Sequence, residues 1–250
     1  MREVQHVNWV NNAYLLFAAA PVYAEYLAQD EALARLLRAR MAEIRVPLAD
    51  QAFFAGLTEP VYVVAVAPND SPSTVAVLPI VARVAAMNPL IDLRVLQEDE
   101  GIELLGKIVD DEGFLDSLPE MDLPLVVLFD RDRQYLTHWG PHPQTLDPYL
   151  DDWLNRHPDF EALVDDESAE GQTAYVELLE QLTHEVRLWF NSGLNHVCVA
   201  ELRALFPSST EDDAEDEDAG DESGDEPGDD EGYNDNGDEN GDAGDEVERA

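Results

Sequence analysis

Val61-Tyr62-Val63-Val64-Ala65-Val66, followed by Ala67-Pro68-Asn69-Asp70 and then Ser71-Pro72-Ser73-Thr74, is the stretch from which the architecture of this chain is read. The first six residues form an apolar run of strand length, rich in β-branched side chains. Pro68-Asn69-Asp70 breaks the run with turn-forming residues. The Ser/Thr cluster then opens an apolar stretch carrying Leu78, Ile80, Val81, Val84 and Met87, which predicts a helix. Ser71 or Ser73 is suited to accept a hydrogen bond from a first-turn amide, an ordinary cap that contributes roughly 1 kcal/mol. A strand, a tight turn and a helix start are thus expected in immediate succession.

Upstream, residues 7–46 read as helices. Leu27, Leu33, Leu36, Leu37, Met41 and Ile44 recur at three- and four-residue spacings among Arg35, Arg38, Arg40 and Glu43, and Pro47 stops the pattern. The apolar stretch from Tyr14 to Ala24 superficially looks like a signal-peptide core. It has no basic leader and is interrupted by Asn11 and Asn12, so a packed helix is the better expectation. Downstream, Asn88-Pro89 marks a turn, Ile91–Gln97 a second strand, and Ile102–Val109 a helix with Ile102, Leu105, Ile108 and Val109 on one face. Leu125-Val126-Val127-Leu128-Phe129 reads as a buried strand, and Asp130-Arg131-Asp132-Arg133 as a hairpin turn into Gln134–Trp139. Helices are expected near Leu146–Arg156, Thr173–Phe190 and His196–Phe206. Three parts follow: an N-terminal helical extension over residues 1–59, an α/β domain with C-terminal helices over 60–206, and a low-complexity acidic tail over 207–250. The tail lacks the apolar residues that would offset ordering entropy, so disorder is expected there.

Composition narrows the function classes. The net charge of -41 argues against nucleic-acid or anionic-membrane partners reached through a basic surface. Residues 207–250 hold 21 acidic residues and one base, which leaves 34 acids against 13 bases in residues 1–206. The domain itself is therefore strongly acidic. Among the basic residues Lys107 is the one lysine, the other 13 being arginine. Such a surface suits a cell interior at molar salt, where the Debye length shrinks to about 3 Å and self-repulsion largely disappears. A single cysteine, Cys198, forms no intrachain disulfide. No stretch is long enough to span a bilayer, and a cytoplasmic location is the expectation.

The order strand, helix, strand, helix, strand, strand, helix resembles the thioredoxin fold: an α/β architecture with a central mixed sheet flanked by helices, here with additional N- and C-terminal helices. Leu78-Pro79-Ile80 places a proline inside the helix after the turn, as thioredoxins often do. Leu123-Pro124 precedes the buried strand, where the family keeps a cis-proline facing its redox pair. Asn88-Pro89-Leu90-Ile91-Asp92-Leu93-Arg94 and Trp139-Gly140-Pro141 are similar to a bacterial branch with an N-terminal helical extension. In that branch the turn commonly reads Trp-Cys-Gly-Asp followed by Cys or Ser. Registered on Pro79, those places hold Asp70, Ser71, Pro72, Ser73 and Thr74. The resemblance therefore implies a degenerate CxxC at Ser71-Pro72-Ser73-Thr74, and thiol–disulfide exchange through a thiolate is lost.

Two function classes are weighed. The first is a thioredoxin-fold binding module, without catalysis or cofactor, whose groove between Ser71 and Pro124 takes a protein or peptide partner pairing with the backbone before Pro124. Its site residues are Ser71, Pro72, Ser73, Thr74, Leu123 and Pro124. The second is an enzyme of altered chemistry, with Ser71 as a hydroxyl nucleophile or Cys198 as a lone thiol. Serine needs a neighbouring base, and none is identifiable from sequence. His138 and His142 are four residues apart, but Gly140, Pro141 and Pro143 preclude the helix that would aim both at a metal. Asn236, Asp238, Asn240 and Gly241 partly mimic a calcium loop. Its twelfth position is Val247, so the bidentate glutamate is missing and no metal site is assigned. Acting as a polyanion is the remaining role considered for the tail.

Overall fold

A computed structural model describes residues 14–69 and 71–207. Asp70 and the tail beyond residue 207, read above from sequence, lie outside the described residues.

The run 61–66 is strand β1 (Val61–Val66), and it is central. Helix α4 (Pro72–Ala85) follows the turn, then β2 (Ile91–Leu96), β3 (Leu125–Phe129) and β4 (Tyr135–Trp139), in the sheet order β2-β1-β3-β4. β1 and β2 are parallel, from Val61 opposite Ile91 to Val66 opposite Leu96. β3 runs antiparallel to β1, with Val66 opposite Leu125, and β4 antiparallel to β3, with Val126 opposite Trp139. The hairpin turn is tied by Asp130, whose Oδ1 accepts from the amides of Asp132 and Gln134, each at 2.8 Å. Arg133 takes the left-handed conformation, φ 60°, that closes it.

Alternation along β1 explains why its sequence is apolar throughout. Val61, Val63, Ala65 and Ala67 point into one core, and Val64 and Val66 into the other. Both sheet faces are covered, so neither parity of side chain tolerates a polar group. The first core is closed by α4 together with α1 (Tyr23–Gln29), α2 (Glu31–Glu43), α3 (Leu48–Ala55) and the long C-terminal helices α9 (Ala169–Trp189) and α10 (Asn195–Leu205). The second is closed by α5 (Glu98–Ile108) and α6 (Glu112–Ser117). Gly101 lets α5 lie directly on the sheet, since a Cβ there would meet Val66 Cγ2 at 2.5 Å. α7 (Asp147–Arg156) buries Trp153 completely, and α8 (Phe160–Val164) leads toward α9.

The N-terminal helices are not continuous. Residues 14–19 are helical, and the chain then extends through Pro21, whose carbonyl accepts from Val95 N at 3.0 Å, and Val22, which bridges Arg94. This segment lies along the outer edge of β2 and occupies hydrogen-bonding groups that an edge strand otherwise exposes. α3, α6 and α8 are absent from the sequence reading because each spans eight residues or fewer, too short for a 3.6-residue periodicity to stand out. What holds α3 in place is remote in sequence. Asn88 Nδ2 donates to Phe54 O at 3.0 Å and Leu57 O at 2.9 Å, at the helix end.

α9 and α10 are joined by a π-turn, Phe190–Leu194, in which Gly193 adopts φ 156°. Beneath it lies Arg40, 1% exposed, donating to Asn191 Oδ1 at 2.8 Å and to Asn195 Oδ1. Burial lowers the pKa of Arg40 and neighbouring Glu43 opposes the shift. Among the described residues no helix is long and apolar enough to cross a membrane.

Candidate functional site

Strand topology gathers three separate segments at one end of the sheet. β1 ends in the 67–71 turn. Because β3 is antiparallel with Leu125 opposite Val66, the next residue back, Pro124, falls opposite Ala67. β4 runs back again, so the residues following Trp139 return to the same end. There Gly140 approaches the Pro124 backbone so closely that a Cβ would lie 2.2 Å from the Pro124 carbonyl oxygen. The Leu123–Pro124 and Gly140–Pro141 peptide bonds are both cis.

The turn is held from outside. The Tyr26 hydroxyl lies 3.1 Å from Ala67 O and 2.8 Å from Asn69 Oδ1, and Gln97 Nε2 donates to the same Asn69 oxygen. Burial pushes the Tyr26 phenol up to about 12, so it remains a neutral hydroxyl. Ser71 is the N-cap of α4, its Oγ accepting from Thr74 N at 3.3 Å, and Pro72 sits in the first turn, where its missing N–H costs nothing. Thr74 is fully buried, and its hydroxyl has no hydrogen-bond partner among the described residues. Pro79 lies inside α4.

Ser71 borders a cavity of about 380 Å³. Its walls come from α2 (Leu36, Ala39), from α4 (Val75) and from α9 (Val176, Leu179, Thr183). Leu123 and Pro124 belong to the same sheet end but do not line it. Arg187 and Arg40 at the cavity wall are already compensated: Arg187 Nε donates to Glu43 Oε2 at 2.9 Å, and Arg40 is held by the two asparagines. The walls are therefore largely apolar, with Ser71 and Asn69, both already hydrogen-bonded, and Glu180 and His184 as the polar edge.

Ser73 faces another way. Its Oγ lies 3.1 Å from His142 Nδ1, and His142 Nε2 lies 3.0 Å from Asp147 Oδ1, the first residue of α7. A carboxylate only accepts, so Nε2 carries a proton, and in the tautomer protonated there alone Nδ1 is left to accept from the Ser73 hydroxyl. The His142 side chain is 13% exposed and Asp147 57%. Sequence reasoning weighed Ser71 as a nucleophile and identified no base for it; the contact of Ser73 with His142, 69 residues away, was not legible. The available signal was topological: residues following an antiparallel β4 must land beside the β1–α4 turn. His138, four residues earlier, stays on β4 and pairs with Tyr135 at 2.7 Å, so the two histidines do not converge.

Cys198 lies fully buried in the first core, on α10. Burial drives its thiol pKa far upward, and Glu201 adds to the effect. A thiolate is not accessible there.

No curated protein matches the chain. Two solved structures are similar to it over most of its length at low identity. One is an HIV epitope-scaffold, at 16% identity and TM-score 0.47, covering 77% of this chain and 95% of that one. The other is a protein of unknown function from Pseudomonas aeruginosa, at 16% identity and TM-score 0.47, covering 76% of this chain and 93% of that one. A family model described as Thioredoxin matches residues 20–154, from the break before α1 to the middle of α7. That match spans more than half of the 250 residues and takes in the whole sheet, α4 and both proline-led segments, and on it this chain belongs to the thioredoxin family.

Proposed function

We propose that this protein is a thioredoxin-fold binding module that takes a protein or peptide partner at the turn where redox relatives carry their dithiol, in a cytoplasm at molar salt. The observation that carries the reading is the cavity of about 380 Å³ beside the Ser71 cap. Its size fits an apolar side chain or a short apolar segment of a partner, while the turn around it is held rigid by Tyr26 and Gln97. Ser71 and Thr74 stand at the degenerate CxxC positions. The sole cysteine is buried in the core, so a partner at this end of the sheet would be held without thiol exchange.

High-salt adaptation is supported by 34 acids against 13 bases in residues 1–206 and by the single lysine. A partner approaching this surface at low ionic strength meets a strong negative field, which molar salt screens.

The test uses the full chain in about 2 M KCl as bait. Proteins captured by the wild type and not by Ser71→Arg are purified and titrated against both forms. A partner whose affinity falls at least tenfold in Ser71→Arg supports the reading. Equal affinity for both forms, or binding that disappears on removal of residues 208–250 alone, overturns it in favour of a tail-driven role.

A further inference from the structure

We propose that Ser73, His142 and Asp147 form an acyl-transfer site, with Ser73 Oγ as nucleophile toward uncharged or cationic carboxylic esters. This goes beyond the binding reading and uses a different set of side chains. Asp147 fixes the His142 tautomer by accepting from Nε2, and the free Nδ1 lies 3.1 Å from Ser73 Oγ, within reach for proton transfer. A nucleophile, a base in contact with it and an orienting carboxylate in contact with the base form the functional relationship of a serine hydrolase, whatever the fold. Of the other hydroxyls at this turn, Ser71 is committed as the helix cap and Thr74 is fully buried.

Position supplies a second element. Ser73 stands in the first turn of the 14-residue helix α4. The negative charge that develops on a carbonyl oxygen attacked by Ser73 forms at the positive end of that helix. The acidic surroundings disfavour anionic esters, which sets the substrate class.

The chemistry balances without a further reactant besides water. Ser73 Oγ bonds to the ester carbonyl carbon as its proton passes to His142 Nδ1. The tetrahedral intermediate breaks its carbon–alkoxy bond, and the leaving alkoxide takes the proton from Nδ1 and departs as the alcohol. Water, deprotonated by the same nitrogen, then attacks the acyl-Ser73 ester. The carboxylic acid is released and the Ser73 hydroxyl is restored.

The experiment treats the full chain in about 2 M KCl with a fluorophosphonate probe, maps the adduct by mass spectrometry, and follows hydrolysis of p-nitrophenyl acetate. The expected result is an adduct on Ser73, absent in Ser73→Ala. Its rate of formation should fall by about 100-fold in His142→Ala and by roughly tenfold in Asp147→Asn, whose carboxylate is more exposed. Each variant is checked for retained near-UV circular dichroism. Should His142→Ala fail to fold, Ser73→Cys gives the same information: a thiol beside His142 is alkylated by iodoacetamide with a plateau well below pH 8, whereas a free thiol titrates near about 8.5. No adduct on Ser73 in the folded wild-type chain overturns the proposal, as does an adduct that forms equally fast in a folded His142→Ala. A Ser73→Cys thiol that titrates as a free one overturns it too. The hydrogen-bonded chain is then only a clasp between α4 and the segment after β4. Finding no partner sensitive to Ser71→Arg while Ser73 is labelled would fail the binding reading and leave this one standing.

Discussion

Gly140 lies against Pro124 backbone to backbone, at φ +147°, with the Pro124 carbonyl oxygen where a side chain would begin. The contact joins the two segments that frame the candidate site, the entry to β3 and the exit from β4. Gly140→Ala brings both a disfavoured backbone conformation and a clash with a main-chain atom that has no rotamer to escape into. We expect a loss of about 2–4 kcal/mol in urea unfolding at molar salt, with weaker Ser73 labelling because His142 moves with the strand end. Gly106, on exposed helix surface with nothing within 4 Å of an added Cβ, provides the control. Gly106→Ala should be neutral or slightly stabilising.

Arg40 is a buried cation whose two terminal nitrogens are held by asparagines and by Glu43 at 3.6 Å, while its Nε has no partner among the described residues. Arg40→Met leaves the Oδ1 of buried Asn195 without its donor, whereas Asn191 is exposed and still accepts from Asn195 Nδ2. A loss of about 3 kcal/mol is expected in denaturant unfolding. Arg40→Lys keeps the charge but not the planar fork that reaches two asparagines at once, so it should recover only part of that loss. A Lys variant as stable as the wild type would show that charge alone is required.

The Arg187 guanidinium donates to Glu43 and holds that carboxyl down to about 2, with Asn191 and Arg40 contributing. A folded-state value below the unfolded one means stabilisation that is fully present above the unfolded pKa, near the ordinary 4.5, and is lost as pH falls through about 2. The difference in urea midpoint between wild type and Glu43→Gln should therefore be constant above about pH 5 and shrink steadily down to pH 2. Parallel curves over that interval would remove Glu43 from the acid response.

Cys198 should resist Ellman's reagent in the native protein at pH 8 and react fully once unfolded, because it is buried and its thiolate is disfavoured by burial and by Glu201. Cys198→Ser places an unpartnered hydroxyl in the same packing and should cost about 2 kcal/mol. It should leave Ser73 labelling unchanged. Rapid native modification would reopen a redox role for this thiol.

Salt sensitivity follows from the charge of the domain. With 34 acids against 13 bases in residues 1–206, the thermal midpoint should rise by on the order of 10 °C between about 0.2 and 2 M KCl. Removing residues 208–250 should leave most of that rise in place, since the repulsion it relieves is carried by the domain. A midpoint independent of salt would refute adaptation to high ionic strength.

The strands were legible because burial on both faces leaves little freedom. β1 and β3 must be apolar at every position, and their boundaries in the structure match the runs Val61–Val66 and Leu125–Phe129. Helix α4 was legible from its Ser/Pro start and its apolar content, and Ser71 proved to be its cap. The short helices α3, α6 and α8 were not, and for two of them what holds them lies elsewhere in the chain: Asn88 for α3, and for α6 the packing of Phe114 into the second core against the Tyr135 ring.

Local sequence determined the elements, the acidic surface and the lack of a dithiol at the β1–α4 turn, since each depends on side chains adjacent in the chain or on composition alone. Tertiary structure decided what stands at that turn. The antiparallel return of β4 carries His142 and Asp147 to Ser73. The packing of α2 and α9 across α4 leaves the cavity beside Ser71. Both results depend on contacts between residues far apart in sequence, and no local propensity encodes those: a histidine after a strand becomes a base only when the sheet's order places a hydroxyl beside it.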